Sequence, residues 1–120
     1  MRKSISSVLA AAATATALAG GATSASAAVT DSDPWGCPSG YVCIFAQDGV
    51  TIAEKYYTYG AHNLSGMFGS HFVDNNQTGG ATASLCYGYN GVNCTGGTIE
   101  AGAVYLKDLT PINSIRLNRP

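Results

Sequence analysis

The cysteines of this chain constrain its fold more than any other feature. Four of them follow an apolar leader in two closely spaced pairs, Cys37 with Cys43 and Cys86 with Cys94. Cysteines of a small exported domain usually pair as disulfides, because export supplies an oxidising compartment. Four cysteines allow three connectivities. Turn residues inside each pair, PSG at 38–40 and Asn90-Gly91, favour local pairing, and each closed loop would stabilise the fold by about 2 to 3 kcal/mol.

Residues 1–27 contain the three parts of a secretory signal peptide. Arg2 and Lys3 form a positive start, residues 8–19 form an apolar stretch, and residues 25–27 (ASA) are typical of a cleavage site. The apolar stretch is shorter than the roughly 20 residues that span a bilayer. The sequence therefore predicts a secreted, extracellular protein without a membrane anchor.

The segment that follows the leader, residues 28–120, has few cations. Two of the six basic residues of the chain lie in the leader, whereas all seven acidic residues follow it. A nucleic-acid-binding domain needs a cluster of basic residues, so nucleic acid is not an expected partner. The length corresponds to one domain. Residues 28–35 are expected to form a flexible N-terminal arm ahead of a domain over residues 36–120.

Short strands are the predicted secondary structure of this domain. No segment repeats apolar residues at helical spacing through three turns, and Gly, Thr, Tyr, Val and Asn are typical of strands and turns. Strands are predicted over residues 41–45, 51–59, 70–75, 81–89, 103–106 and 113–117. Along 70–75, Phe72 and Asp74 should face away from Val73. Several short strands separated by turns indicate an all-β sandwich or small barrel.

The two cysteine-containing segments form a weak internal repeat. Residues 43–49 (CIFAQDG) and 86–91 (CYGYNG) each begin with a cysteine, continue with an aromatic residue and end in an Asp/Asn-Gly turn. Two similar units of about 43 residues could each bury one face against the other. This repeat predicts a sandwich of two Greek keys.

The same motifs resemble a known family. Residues 37–43 (CPSGYVC) are similar to the C-P-x-G-x-x-C opening of small secreted actinobacterial peptidase inhibitors. These proteins belong to the metalloproteinase-inhibitor type and have a βγ-crystallin-like fold. Later segments that resemble the family are residues 73–81 (VDNNQTGGA), 85–87 (LCY) and 113–117 (NSIRL). The resemblance covers about residues 36–119.

The resemblance implies a fold, a function and a site. It implies two βγ-crystallin-like Greek keys, local pairing in both disulfides, and inhibition of an extracellular metallo- or serine protease by a monomer. The inhibitory loop would lie in and beside the second disulfide, and the predicted contacts are Cys86, Tyr87, Tyr89, Val92 and Cys94. A clamped loop loses little entropy on binding. The alternative is that Tyr87 and Tyr89 are packing residues of an ordinary hairpin.

A second candidate site is a weak calcium motif. Asp74, Asn75 and Thr78 nearly match the (Asp/Asn)-(Asp/Asn)-x-x-(Ser/Thr)-Ser pattern of βγ-crystallins, and oxygen ligands suit calcium. Gly79 replaces the final serine, however, and Leu109 replaces a ligand in the partner motif. A polar turn is the simpler interpretation, and no other metal or cofactor is expected. The alternative function is thus a non-inhibitory βγ-crystallin-like extracellular domain, calcium-binding or structural, and a small secreted toxin is a third possibility.

Catalytic motifs are missing from the sequence. Ser65 does not lie in a G-x-S-x-G elbow, no zinc-protease motif is present, and Glu54 and Glu100 are isolated. The sequence therefore predicts a binding protein and not an enzyme.

Overall fold

The computed structural model describes residues 32–120. The predicted signal peptide, residues 1–27, and the beginning of the predicted arm, residues 28–31, lie outside the described residues. Within residues 32–120, no helix has the length and apolar character needed to cross a membrane.

Short strands dominate the described part of the chain, which confirms the all-β prediction. The strands are β1 (Val42–Phe45), β2 (Ile52–Tyr56), β3 (Gly60–Asn63), β4 (Ser70–Asn75), β5 (Thr82–Cys86), β6 (Thr98–Ile99), β7 (Val104–Asp108) and β8 (Ser114–Asn118). Tyr89–Gly91 forms a 3₁₀ turn.

Two of the predicted strands are too long. The strand predicted over 51–59 ends at Tyr56, and a bend at residues 58 and 59 precedes a separate strand, β3, which begins at Gly60 with φ 106°. The strand predicted over 81–89 ends at Cys86. The sequence does not predict β3 or β6, because neither GAHN nor the two residues of β6 form the run of β-branched and aromatic residues that indicates a strand.

The strands form two antiparallel four-stranded sheets. Sheet one has the order β2-β1-β4-β7, and sheet two has the order β3-β8-β5-β6. Strand β3 therefore lies in the sheet built mainly from the second half of the chain, and β7 lies in the sheet built mainly from the first half. Each half of the chain completes the sheet of the other.

One hydrophobic cluster combines side chains from both sheets. Its members on sheet one include Val42, Ile44 and Val73, and those on sheet two include Ala83, Leu85, Ile99, Ile115 and Leu117. Each of these residues is at most 1% exposed. Complete burial of one such Val, Leu or Ile side chain stabilises the fold by roughly 1.5 to 3 kcal/mol. This shared core holds the two sheets together.

A second, smaller cluster lies on the other face of sheet one. Cys37, Cys43 and Phe45 are fully buried there, and the ring of Phe72 lies 5.8 Å from that of Trp35. Phe72 faces away from the core residue Val73, as the alternation of side chains along a strand requires.

Residues 32–38 cover this outer face. Ser32 pairs with Pro38 in a β-bridge. Oδ1 of Asp33 accepts hydrogen bonds from the backbone N–H groups of Trp35 and Cys37, at 3.0 and 2.9 Å. The described end of the predicted N-terminal arm is thus held in a turn against sheet one.

Both disulfides join neighbouring cysteines, which confirms the local pairing. Cys37–Cys43 joins the covering segment to β1, with the Cα atoms 5.9 Å apart, and Cys86–Cys94 closes the loop after β5, with the Cα atoms 3.7 Å apart. Disulfides persist in oxidising compartments, so this pair of bonds indicates such an environment for the domain.

Tryptic peptide mapping without reduction tests the pairing. Cleavage after Lys55 separates the first two cysteines from the last two, because Lys55 lies between Cys43 and Cys86. We expect two separate peptides, each with an internal disulfide, and no species that joins them. A peptide that links the two sides of Lys55 through a disulfide would contradict this topology.

Candidate functional site

The disulfide loop, residues 86–94, is a tight hairpin. The backbone N–H of Tyr87 donates to the carbonyl of Asn93, and that of Gly88 donates to the carbonyl of Val92, both at 2.9 Å. Both of these pairs enclose Tyr89–Gly91, which forms the 3₁₀ turn. The loop is therefore closed both by hydrogen bonds and by the disulfide at its base.

The turn requires the Asn-Gly sequence at its tip. Asn90 has φ 61° and ψ 30°, and Gly91 has φ 72°, which are left-handed conformations that asparagine and glycine adopt most readily. A Cβ atom at Gly91 would also lie 2.9 Å from the Cβ of Ala61. The turn predicted from Asn90-Gly91 is confirmed, although it closes a short loop hairpin and does not join two long strands.

Asn63 and Asn90 join the tip of the loop to sheet two. Oδ1 of Asn63 accepts the backbone N–H of Asn90 at 2.7 Å, and Nδ2 of Asn63 donates to Oδ1 of Asn90 at 3.0 Å. Asn63 is the last residue of β3. A strand from the first half of the chain thus supports a loop of the second half.

Ser114, the first residue of β8, holds the loop from below. Its hydroxyl donates to the carbonyl of Gly88 at 2.6 Å and accepts the N–H of Gly91 at 3.0 Å. The hydroxyl is buried, so both of these bonds are protected from competing water. One side chain therefore fixes both sides of the turn.

Two further side chains fix carbonyl groups of the loop. Nδ2 of Asn113 donates to the carbonyl of Tyr87 at 2.7 Å, and Nη1 of Arg116 donates to the carbonyl of Gly91 at 3.1 Å. The loop therefore presents side chains to solvent, while much of its backbone is bonded within the domain.

The predicted contact residues differ in their exposure. Tyr87, Tyr89 and Val92 are 40%, 56% and 61% exposed, whereas Cys86 is fully buried. Cys94 is half-buried. The loop thus brings three large apolar or aromatic side chains to the surface on one rigid turn, and its two cysteines form the base.

A groove beside Tyr89 adds a residue that the sequence does not single out. The groove has a volume of about 170 Å³ and lies between Tyr89 and the segment 64–68. Phe68 borders it and is 69% exposed. The carbonyl of Phe68 accepts a hydrogen bond from Nε2 of Gln47 at 3.0 Å, so the backbone that carries this exposed ring is fixed.

Among the calcium candidates, Asn75 already has hydrogen-bond partners within the domain. Nδ2 of Asn75 donates to the carbonyls of Ala81 and Ile99, at 3.0 and 2.8 Å. Its Oδ1 accepts both the backbone N–H and the side-chain amide of Gln77, each at 3.1 Å. Asn75 is fully buried, whereas Thr78 is exposed. The asparagine side chain is thus already used to connect β4 to the following turn and to β6.

Asp74 is buried beside a second carboxyl group. It is 1% exposed, and its Oδ2 has no hydrogen-bond partner within residues 32–120. Burial, together with a hydrogen bond and charge repulsion from Asp33, raises the pKa of Asp74 from 3.8 to about 8. A protonated Asp74 can donate to the Asp33 carboxylate, which gives this buried group a partner.

Calcium titration followed by calorimetry tests the weak motif. Within residues 32–120 no group of three or more His, Cys, Asp or Glu side chains is placed to hold a metal. We expect no calcium binding tighter than about 10⁻⁴ M, the range of weak extracellular sites. Micromolar affinity would contradict this expectation and would favour the alternative, calcium-binding function.

The buried carboxyl predicts an unusual dependence of stability on pH. Folded Asp74 keeps its proton up to a pKa of about 8, whereas the unfolded chain loses it near pH 4. The folded state therefore binds more protons between these values. The stabilisation is complete below about pH 4 and is lost as the pH rises toward 8, with a slope of up to about 1.4 kcal/mol per pH unit.

Denaturant unfolding of Asp74→Asn at several values between pH 5 and pH 8 measures this contribution. The variant should lose most of the decline in the free energy of unfolding, because its amide does not titrate. Glu54→Gln, which removes an exposed carboxylate on β2, is the matched control and should keep the decline. If the free energy of unfolding falls equally with pH in the unaltered protein and in both variants, a protonated Asp74 is refuted.

Comparisons of the chain with protein-family models, curated protein sequences and solved structures found no match. The described residues define the class of the protein as a small all-β domain with two local disulfides. Its function is therefore inferred from the geometry of its own residues and from the resemblance of its motifs.

Proposed function

We propose that this protein is a secreted peptidase inhibitor of the metalloproteinase-inhibitor type, and that it binds a protease through the disulfide loop. The observation that carries the proposal is the loop itself, in which three exposed apolar or aromatic side chains stand on a turn with a fixed backbone. The role is one of binding, without catalysis. The predicted leader and the two disulfides support an extracellular location.

We also propose a βγ-crystallin-like fold of two Greek keys, and the strand order supports it. Sheet one reads β2-β1-β4-β7, and sheet two read from its other edge is β6-β5-β8-β3. Adding four to each strand number of sheet one gives the strand at the same position of sheet two, if the count returns to β1 after β8. By this rule β7 of sheet one corresponds to β3 of sheet two. Two similar four-strand units that exchange their third strands would give this arrangement.

The energetic support comes from the low entropy of the loop. Ordering a flexible segment opposes association, and a segment already fixed in its bound conformation avoids that cost. The disulfide and the side chains of Asn63, Asn113, Ser114 and Arg116 fix the loop before any partner binds. Exposed aromatic residues on such a support are the type that dominates interface energies.

We expect the loop to bind the protease through its side chains and not through its backbone. An extended, substrate-like segment would need free backbone groups to pair with a protease, but the carbonyls of Tyr87, Gly88 and Gly91 accept hydrogen bonds from the domain. Contact through Tyr87, Tyr89 and Val92 is therefore favoured over strand-like pairing. A loop without an extended scissile segment would also resist cleavage.

Tyr87→Ala and Tyr89→Ala test the contact. Each variant should raise the inhibition constant against the sensitive protease at least about tenfold, because an aromatic residue at the centre of an interface often contributes 2 kcal/mol or more. Inhibition is measured first on a panel of metallo- and serine proteases. Both tyrosines are exposed, so the variants should remain folded, as circular dichroism can verify.

Tyr105→Ala is the matched control, because Tyr105 is a partly exposed tyrosine on β7 of sheet one. It should leave the inhibition constant unchanged. Unchanged inhibition by both folded loop variants would place the contact elsewhere on the domain. If the unaltered protein inhibits no protease of the panel, the inhibitor function itself is refuted.

A further inference from the structure

A separate surface, the tyrosine cleft, has the composition of a ligand site. It has a volume of about 380 Å³, and its walls combine aromatic, hydroxyl, amide and cationic groups from Tyr57, Thr58, Tyr59, Gln77, Thr78 and Arg119. None of these residues belongs to the disulfide loop. Mixed aromatic and polar walls of this kind are typical of small-molecule sites.

Tyr57 forms a fixed but exposed aromatic wall. Its side chain is 61% exposed, and its ring lies 5.0 Å from that of Tyr41. The ring also packs against the backbone at Gly40, where an added Cβ would come within 2.8 Å of it. Gly40 thus permits a contact that holds Tyr57 in place, while most of the ring remains open to a ligand.

The neighbouring segment, residues 58 and 59, is fixed as well. Nε2 of His62 lies 2.7 Å from the carbonyl of Thr58, and the His62 ring stacks on Tyr56 at 4.7 Å. The guanidinium of Arg119 lies 4.6 Å from the centre of the Tyr59 ring. The cleft is therefore formed before a ligand enters, which favours binding.

The polar groups of the cleft have a defined orientation. Nε2 of Gln77 donates to Oδ1 of Asn75 and to the carbonyl of Thr82, both at 3.1 Å. These bonds leave Oε1 as the amide atom that can accept a hydrogen bond from a ligand. The hydroxyls of Thr58 and Thr78 can donate or accept beside it.

The charge of the cleft is positive within a chain of net negative charge. None of the lining residues is acidic, and Arg119 is one of only four basic residues after the leader. A second basic residue, Lys55, has its Nζ 5.3 Å from the centre of the Tyr41 ring that supports Tyr57. Local positive charge of this kind selects an anionic ligand.

We propose that the tyrosine cleft binds an acidic saccharide, such as a segment of a uronate polymer. The apolar faces of the sugar rings pack on Tyr57 and Tyr59, and the ring hydroxyls bond to Gln77 and the two threonines. The sugar carboxylate pairs with Arg119 in a charge-assisted hydrogen bond. A proline-rich peptide would also pack on tyrosines, but it has neither hydroxyls for the polar wall nor a negative charge for Arg119.

Calorimetric titration of the purified protein with hexagalacturonate, and with neutral maltohexaose for comparison, tests the proposal. Hexagalacturonate should bind more tightly, and added salt should weaken its binding. Tyr57→Ala and Arg119→Gln should each raise its Kd at least about tenfold, the loss expected for one stacked ring or one ionic hydrogen bond. Binding to this site does not depend on the proposed inhibition, so loss of one leaves the other intact.

Tyr105→Ala is again a matched control, because Tyr105 is 39% exposed and has Lys107 at 5.5 Å from its ring, outside the cleft. Its Kd should equal that of the unaltered protein. If Tyr57→Ala fails to fold, Arg119→Gln at the exposed end of the chain decides the question. Absence of hexagalacturonate binding, equal weakening by Tyr105→Ala, or tighter binding of maltohexaose or a hexaproline peptide would overturn the proposal.

Discussion

The pairing of β3 with β8 is the constraint on which the candidate site depends. In this register Asn63 lies opposite Ser114, and Ser114 lies opposite Cys86 on the other side of β8. The two side chains that hold the turn are thereby placed next to the cysteine at which the disulfide loop begins. A slip of one residue would turn every side chain of the strand to the opposite face of the sheet, and it would remove both supports at once. The shared core, which requires both sheets, therefore also fixes the loop.

Local chemistry explains why the sequence predicts the loop and not its supports. The disulfide pairing and the turn at Asn90-Gly91 involve residues at most eight positions apart, and local residue preferences identify them. Asn63 bonds to Asn90 across 27 positions, and Ser114 bonds to Gly88 across 26. Contacts at that separation follow from strand register, which a single sequence does not specify. For the same reason β3, with a sequence of weak strand preference, forms because β8 and the core accept it.

The outer face of sheet one explains where the calcium candidates lie in the fold. Alternation along β4 predicts that Asp74 faces away from the core, but it does not predict that residues 32–38 cover that face. Under this cover Asp74 is buried beside Asp33, and burial of a charged carboxylate is costly unless it is neutralised or paired. Asn75, on the other face, donates hydrogen bonds to the carbonyls of Ala81 and Ile99. Residues that resemble ligands in the sequence thus stabilise the fold, because buried polar groups must find partners there.

The two exposed aromatic surfaces proposed as binding sites share one physical feature. Single exposed tyrosines are ordinary on a protein surface, but here each group of them is carried by backbone that other residues hold. Ser114 and the asparagines hold the loop, whereas His62, Gly40 and Gln77 hold the cleft. No residue is shared between these two sets of contacts. A substitution in one surface should therefore change the binding proposed for it without altering the other, and this independence would allow a single stapled domain to carry both proposed sites.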